Sequence, residues 1–215
     1  GRGRRANRLM ATHAASPLTG LQVRHAPHAL NRAARIIDGL ETEFELLVTE
    51  NLSIMSNLRY NDTEIDDPEL RDDLCGSSPR CTPLDPIAGT RIGPFGPVTE
   101  VYIDGNPLPR TPEWIFNFIL DYSYPLQNGD LYFNTDWNYR DESNLFLHES
   151  VEFVQEERWL GGLRTGYRMS NGMDFARVGR NITDEVVVEG GINFLNLTAF
   201  VNEPAYWGVE FRTRF

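Results

Sequence analysis

The chain has 215 residues, of which 40% are hydrophobic and 11% aromatic, and its formal net charge is −11. This length and composition allow a single domain with a sizeable core. No run of about 18 apolar residues is present, which excludes a transmembrane helix but not membrane-spanning strands, because such strands alternate apolar and polar residues.

The first 35 residues differ from the rest in charge. They contain seven arginines and no acidic residue, so the remainder carries 13 arginines against 31 acidic residues. No hydrophobic period is sustained here, and no apolar core of a signal peptide is present. We interpret residues 1–33 as an irregular, disordered or misread segment and residues 34–215 as the folded part. The acidic body argues against nucleic acid as a partner.

The folded part begins with a predicted hairpin. Apolar residues alternate with polar ones over residues 36–48 and again over residues 52–60, with a tight turn between them. The acids Glu41, Glu43 and Glu45 follow one face of the first strand. This pattern is typical of a hydrated barrel lining rather than of paired catalytic carboxylates.

Residues 64–112 are rich in proline and glycine and predict a long irregular connection, which is rare in compact soluble domains and ordinary on one rim of a barrel. Cys75 and Cys81 lie within it. Because no further cysteine or nearby histidine completes a metal set, a loop-closing disulfide is favoured over two reduced thiols, and with it an oxidising compartment. The acidic run 62–73 lacks EF-hand spacing and is interpreted as a solvated loop rather than as a calcium site.

The same period of two predicts five further strands. They cover residues 114–124, 131–139, 158–169, 172–182 and 206–215. Tight turns and long loops alternate along the chain, so in a meander all tight turns lie on one rim and all long loops on the other. The predicted fold is all-β, an antiparallel up-and-down meander of about seven strands from the C-terminal portion of a transmembrane outer-membrane β-barrel.

The four tryptophans share the apolar parity of their strands and fall near the rim of the long loops. They are Trp114, Trp137, Trp159 and Trp207. This arrangement predicts an aromatic girdle at the membrane interface.

The strand 172–182 has an ambiguous pattern, because either parity exposes an arginine. Arg177 facing lipid near mid-strand would cost about 2 to 4 kcal/mol, whereas Arg180 near the outer rim would cost about 0 to 1 kcal/mol. We therefore expect Ala176, Val178, Arg180 and Ile182 to face outward.

The last strand ends on an aromatic residue. Its apolar positions include Trp207, Val209, Phe211 and Phe215. This ending resembles the closing strand of outer-membrane barrels, which the barrel-assembly machinery recognises. Together with residues 35–44, 108–114 and 179–185, the ending 203–215 resembles, in order and spacing, the C-terminal part of TonB-dependent outer-membrane receptors.

The resemblance covers about residues 33–215 and implies the last third of a 22-stranded barrel that is plugged by an N-terminal domain. Arg177 departs from the family, which usually carries an apolar residue there, and residues 1–33 match nothing in it. The sequence is therefore expected to be a fragment without the plug. Expected partners are outer-membrane lipid, the barrel-assembly machinery, a small solute and, through the missing plug, the TonB complex. The expected location is the outer membrane of a Gram-negative bacterium.

The resemblance implies import of an iron siderophore, cobalamin or a saccharide with TonB-supplied energy. Two alternatives stay open: a passive porin-like channel and a soluble carbohydrate-binding β-sandwich. No catalytic constellation occurs, so an enzyme is not expected, and no cofactor or metal is assigned. The histidines, including His148 in a loop, are interpreted as solvated. Loop aromatics are interpreted as anchors between loops; they are Phe95, Tyr102, Phe146, Phe153, Phe194 and Phe200.

Overall fold

A computed structural model describes residues 22–25, 35–75, 81–193 and 197–213. The strands, in chain order, are β1 (Gln22–His25), β2 (Arg35–Thr49), β3 (Leu52–Ile65), β4 (Arg71–Asp73), β5 (Ile87–Gly93), β6 (Gly96–Tyr102), β7 (Trp114–Leu126), β8 (Gly129–Arg140), β9 (Ser143–Asn144), β10 (Val154–Gln155), β11 (Arg158–Met169), β12 (Met173–Arg180), β13 (Val188–Asn193), β14 (Leu197–Val201) and β15 (Tyr206–Thr213). A 3₁₀ turn, Val151–Phe153, precedes β10. Within the described ranges, no helix has the length and hydropathy needed to cross a membrane.

The main sheet contains eight strands in the order β1-β2-β3-β7-β8-β11-β12-β15, and every neighbouring pair is antiparallel. Seven of these strands lie where the period of two predicts them, so the up-and-down meander is confirmed. In the described part of the chain the sheet is open, with β1 and β15 at its two edges.

The eighth strand, β1, was not predicted. Residues 22–25 pair with residues 40–43 of β2, although no alternating pattern is sustained in that part of the sequence. The assignment of residues 1–33 to an irregular segment was therefore wrong for these four residues. The others in that range lie outside the described residues, and the division of the chain near residue 33 stays a prediction.

The main sheet has one apolar and one polar face, because residues directly opposite each other in a strand pair share a face. The apolar face carries Leu40, Tyr60, Trp114, Phe116, Trp137, Tyr139, Trp159, Phe175, Trp207, Val209 and Phe211. The polar face carries Glu41, Arg59, Asp121, Asn134, Asp136, Arg164, Asp174 and Glu210. Most large side chains of the apolar face are exposed, and Val209 is 88% exposed.

The expected orientation of β12 was wrong. Its register with β15 sets Phe175 opposite Phe211 and Arg177 opposite Val209, which places Phe175 and Arg177 on the apolar face. Ala176, Val178 and Arg180 lie on the polar face, and Ile182 lies beyond the end of the strand.

Two contacts explain why this orientation of β12 is acceptable. On the polar face, Arg180 forms an ion pair with Asp136 at 3.2 Å. On the apolar face, the guanidinium of Arg177 lies over the ring of Trp207, 4.7 Å from its centroid. Such a cation–π contact directs the charge of Arg177 towards the rim where the tryptophans lie.

Two glycines make room for tryptophan rings on the apolar face. Trp137 lies opposite Gly161, and Trp207 lies opposite Gly179. A Cβ atom at Gly161 would fall 2.6 Å from the ring of Trp137, and one at Gly179 would fall 2.7 Å from the ring of Trp207. Each tryptophan ring therefore lies flat across the neighbouring strand and covers the backbone of the glycine, which has no side chain to cover it.

The three long connections at one end of the sheet fold together into a rim module, comprising the described residues within 66–113, 141–157 and 181–205. It contains a three-stranded sheet in the order β4-β6-β5, the hairpin β13-β14 and the short pair β9-β10. The expectation of an irregular connection over residues 64–112 was therefore wrong. The tight turns all lie at the opposite end, as the meander requires.

The rim module has its own hydrophobic core, the rim core. It consists of Ile65, Leu74, Cys75, Cys81, Val101, Ile103, Leu145 and Phe153. Ile65 is the last residue of β3, and the others come from two connections that are far apart in sequence, so hydrophobic burial holds separate loops in one body at the end of the sheet.

Candidate functional site

The four tryptophans mark one level of the apolar face, next to the rim module. Trp114 and Trp159 lie at the starts of β7 and β11, Trp207 near the start of β15, and Trp137 late in β8. Tyrosines extend the band: the ring centroids of Tyr60 and Trp114 are 4.7 Å apart, and those of Tyr139 and Trp159 are 4.9 Å apart. The predicted interfacial girdle is compatible with this geometry, and its membrane role stays a prediction.

The residues predicted as an assembly signal share the apolar face of β15. Trp207, Val209 and Phe211 project from it and are all exposed. Phe215 lies outside the described residues. Recognition of this strand by the assembly machinery stays a prediction.

The rim core is built around a disulfide between Cys75 and Cys81, both of which are buried. The hydroxyl of Ser150 lies 3.8 Å from the sulfur of Cys81, and His148 Nε2 lies 3.7 Å from the sulfur of Cys75. The disulfide closes a short loop within the connection after β3, and its contacts with His148 and Ser150 link that loop to the connection after β8.

His148 is fully buried, so its interpretation as a solvated residue was wrong. Its Nδ1 lies 2.8 Å from Oδ2 of Asp72, and its ring stacks on Phe146 at a centroid distance of 5.6 Å. Burial on its own would raise the pKa of the Asp72 carboxyl, but the hydrogen bond and the charge of His148 outweigh burial and lower it. Another acid of the run 62–73, Asp73, pairs with Arg91, so parts of this run serve as structural partners.

The lowered pKa of Asp72 predicts a pH dependence of the rim module. A carboxyl whose pKa is lower in the folded state adds stability above its unfolded pKa and loses that stability as the pH falls through its folded pKa. The wild type should therefore be more stable than Asp72→Asn above pH 3.8, the ordinary value, and the difference should close in more acidic solution. Thermal unfolding at pH values from 6 to 2.5 measures it. A gap that stays constant across this range would contradict the assignment.

A second buried polar group fixes the neighbouring loops. Asn106 donates to Oδ1 of Asp85 at 3.0 Å and to the Leu147 carbonyl at 3.1 Å. The backbone N–H of Glu149 donates to Oδ2 of Asp85 at 2.7 Å. Burial, followed by the charge of Asp85, raises the pKa of the Glu149 carboxyl. No spacing in the sequence signals this network, because its members meet only through the loop packing.

The loop aromatics separate into buried anchors and exposed residues. Phe153 is 2% exposed and packs edge-on against Phe146, whereas Phe95 and Phe200 are exposed. The guanidinium of Arg71 covers the ring of Tyr102. Phe194, the remaining member of the set, lies outside the described residues.

The polar face below the rim module carries a mixed set of charges. Arg164 is 3.3 Å from Asp174 and 3.4 Å from Glu210, and Asp174 accepts a hydrogen bond from Tyr132 at 2.7 Å. Towards the rim module a cavity of about 540 Å³ opens on this face; its lining includes Asp136, Asn138, Leu160, Arg180, Glu189 and Tyr206. The arrangement offers a polar, charged recess at the end of the sheet that bears the folded loops.

No protein-family model matches the sequence, and comparison with curated proteins found no match either. Solved structures share the fold, among them the following three. The ferric yersiniabactin uptake receptor FyuA from Yersinia pestis is 14% identical, with a TM-score of 0.62 over 84% of this chain and 24% of that chain. The siderophore receptor PiuA from Acinetobacter baumannii is 15% identical, with a TM-score of 0.57 over 81% of this chain and 21% of that chain. BauA, the ferric preacinetobactin receptor from Acinetobacter baumannii, is 13% identical, with a TM-score of 0.53 over 89% of this chain and 25% of that chain.

This chain therefore spans about a quarter of the length of these receptors. The register of its meander, its two unlike faces and the resemblance of its ordered sequence stretches agree with this likeness. The chain has the fold of a partial barrel of the TonB-dependent outer-membrane receptors.

Proposed function

We propose that the protein forms part of the barrel of an outer-membrane receptor that imports a scarce solute, a ferric siderophore, with energy supplied through TonB. The observation that carries this proposal is the apolar face. It extends across seven strands of the main sheet from β2 to β15 and remains exposed, with a band of tryptophan and tyrosine at the end that bears the folded loops.

The exposed apolar face supports a membrane location. Monomeric soluble proteins rarely expose contiguous apolar patches larger than a few hundred Å². Side chains such as Phe175, Val209 and Phe211 are 46%, 88% and 58% exposed, and lipid is the environment in which such a face is stable. We assign this face to the lipid of a Gram-negative outer membrane.

The other partners follow from the two remaining surfaces. The polar face, with its paired and unpaired charges, would line the barrel interior and meet the plug, through which TonB acts. The exposed strand β15 would be the segment that the barrel-assembly machinery handles. Residues 34–215 would be the barrel part of the receptor, and Trp114, Trp137, Trp159 and Trp207 its interfacial girdle.

The choice of a ferric siderophore over cobalamin or a saccharide rests on the three similar structures, which are receptors for a siderophore or for ferric complexes. A soluble β-sandwich is disfavoured, because in the described part of the chain no second sheet covers the apolar face.

Uptake in the native host tests the proposal. Deleting the gene that encodes this chain should reduce uptake of one radiolabelled ferric siderophore to background, and restoring the gene should recover it. Loss of TonB should abolish the same uptake. Uptake that needs the gene but persists without TonB would indicate a passive channel, and recovery of the protein in the aqueous fraction without detergent would overturn the membrane assignment.

A further inference from the structure

Two arginines lie directly opposite each other on the polar face, at the border of the rim module. Arg140 is the last residue of β8, Arg158 is the first residue of β11, and the two are register partners. Cβ atoms of such partners are about 5 Å apart, and like charges directly opposite each other destabilise a strand pair. The position therefore has an electrostatic cost that the fold itself does not require.

Neither guanidinium is neutralised. Within residues 35–75, 81–193 and 197–213, no ion pair joins Arg140 or Arg158 to an acidic side chain. The Nε–H group of Arg158 is shielded from solvent and finds no hydrogen-bond acceptor among the described residues. A buried donor without a partner destabilises the folded state, so an acceptor at this position would stabilise it.

The acids beside the pair in sequence are bonded elsewhere. Glu157 accepts a hydrogen bond from the hydroxyl of Tyr139, a residue of the apolar face. Asp141 accepts a hydrogen bond from the backbone N–H of Glu142. Glu185 accepts the backbone N–H of Trp159 at 2.9 Å. The charges of Glu185 and Glu189 reach Arg158, but neither acid is within ion-pair distance.

The same row of the polar face contains a third arginine, Arg59, with which the pair can be compared. Arg59 lies opposite Ile115, which in turn lies opposite Arg140. Arg59 is neutralised by Glu41, with 2.7 Å between Nη2 and Oε1. One arginine of the row is therefore paired within the protein, and the two nearest the recess are not.

The arginine pair borders an open space. The next residues inward on the same face, Asn138 and Leu160, line the cavity of about 540 Å³ beneath the loops. A solute that enters from the loop end of the sheet would pass these two guanidinium groups before it meets the mixed charges further in.

We propose that Arg140 and Arg158 form a binding site for an oxyanion, a carboxylate or phosphate group carried by the imported solute. Two guanidinium forks hold such a group through paired N–H donors, and Arg158 Nε–H is a shielded donor that no described residue satisfies. The ligand's identity as a transported solute rests on the proposed function; the binding of an oxyanion does not.

Binding of citrate and of inorganic phosphate to the purified receptor, measured by calorimetry at low ionic strength, tests the site. Arg140→Gln and Arg158→Gln should each weaken binding by about tenfold or more, because a hydrogen bond to a charged group contributes about 1.5 to 3 kcal/mol. Arg59→Gln removes the same charge from the same row and should change the affinity by less than about twofold. Equal losses in all three variants, or no binding by the wild type, would overturn the proposal.

Stability without ligand gives a second readout. If the pair exists to hold an anion, Arg158→Gln should raise the midpoint of thermal unfolding of the ligand-free receptor. The change removes a positive charge that lies opposite Arg140 and a shielded N–H donor that has no described partner. A lowered midpoint would assign the pair a structural role and contradict the site.

The two proposals fail separately. Wild-type binding of the probes with no import of any solute would leave the oxyanion site standing and refute the import function. Intact import of an anionic ferric siderophore by the double variant Arg140→Gln/Arg158→Gln would refute the site and leave the import function in place.

Discussion

Phe211→Asp is expected to remove nearly all folded protein from the outer membrane, whereas Val209→Asp should retain a substantial part of it. Both changes put a carboxylate on the apolar face of β15. Val209 lies opposite Arg177, so an aspartate there meets a guanidinium, while Phe211 lies opposite Phe175 and meets only an aromatic ring. A charge on a lipid-facing surface is less costly when an ion of opposite sign lies beside it.

Gel mobility of unheated and heated outer-membrane fractions measures the folded amount. Gly208→Asp is the matched control, because residue 208 projects from the polar face of the same strand into open space, and it should assemble as the wild type does. Adding Arg177→Leu to Val209→Asp should lower its yield to that of Phe211→Asp. Equal yields of the two single variants would show that Arg177 gives no compensation, and a failure of Gly208→Asp would contradict the assignment of the faces.

Phe153→Ala is expected to unfold the rim module while the main sheet persists. The side chain is 2% exposed in the rim core, and it packs against Phe146 and, across the loops, against Gly191. Truncating a buried phenylalanine costs about 3 to 5 kcal/mol, a large part of the stability of a small folded unit. Hydrogen exchange should show lost protection over residues 66–113, 141–157 and 181–205, with protection retained in β7, β8 and β11.

The matched control for this prediction is Phe95→Ala. It removes the same ring from the turn between β5 and β6 of the same module, at a site that is 69% exposed. Its effect should lie within about 0.5 kcal/mol. Similar losses of protection in both variants would mean that Phe153 is not a central anchor of the rim core.

The clean alternation in β7, β8, β11 and β15 made their faces predictable from the sequence. A strand turns successive side chains to opposite sides, so the placement of Trp114, Trp137, Trp159 and Trp207 on one face follows from local geometry. The alternation of tight turns and long connections likewise predicted which end of the sheet bears the loops. These features depend only on neighbours along the chain.

The orientation of β12 needed the partner strand. Its sequence places an arginine on either face, so the pattern could not decide between Arg177 and Arg180. The surrounding strands decided it, because Asp136 of β8 neutralises Arg180 on one face and Trp207 of β15 accepts Arg177 on the other. The cost of exposing each arginine to lipid favoured the wrong face, because it does not include the partner of that arginine in the folded sheet.

The rim module was decided by tertiary structure alone. Its irregular-looking sequence carries no sustained period, since its core gathers a few residues from the connections after β3 and β8, with Val188 and Leu197 of the third connection packed against them. Asp72 and His148 are 76 residues apart in the chain, and nothing near either one signals the other. Arg140 and Arg158 likewise become a pair only when β8 and β11 are placed in register. Sequence by itself determined the alternating strands, because backbone geometry imposes that period locally. The loop core and the arginine pair required the fold, because they depend on burial and charge between distant segments.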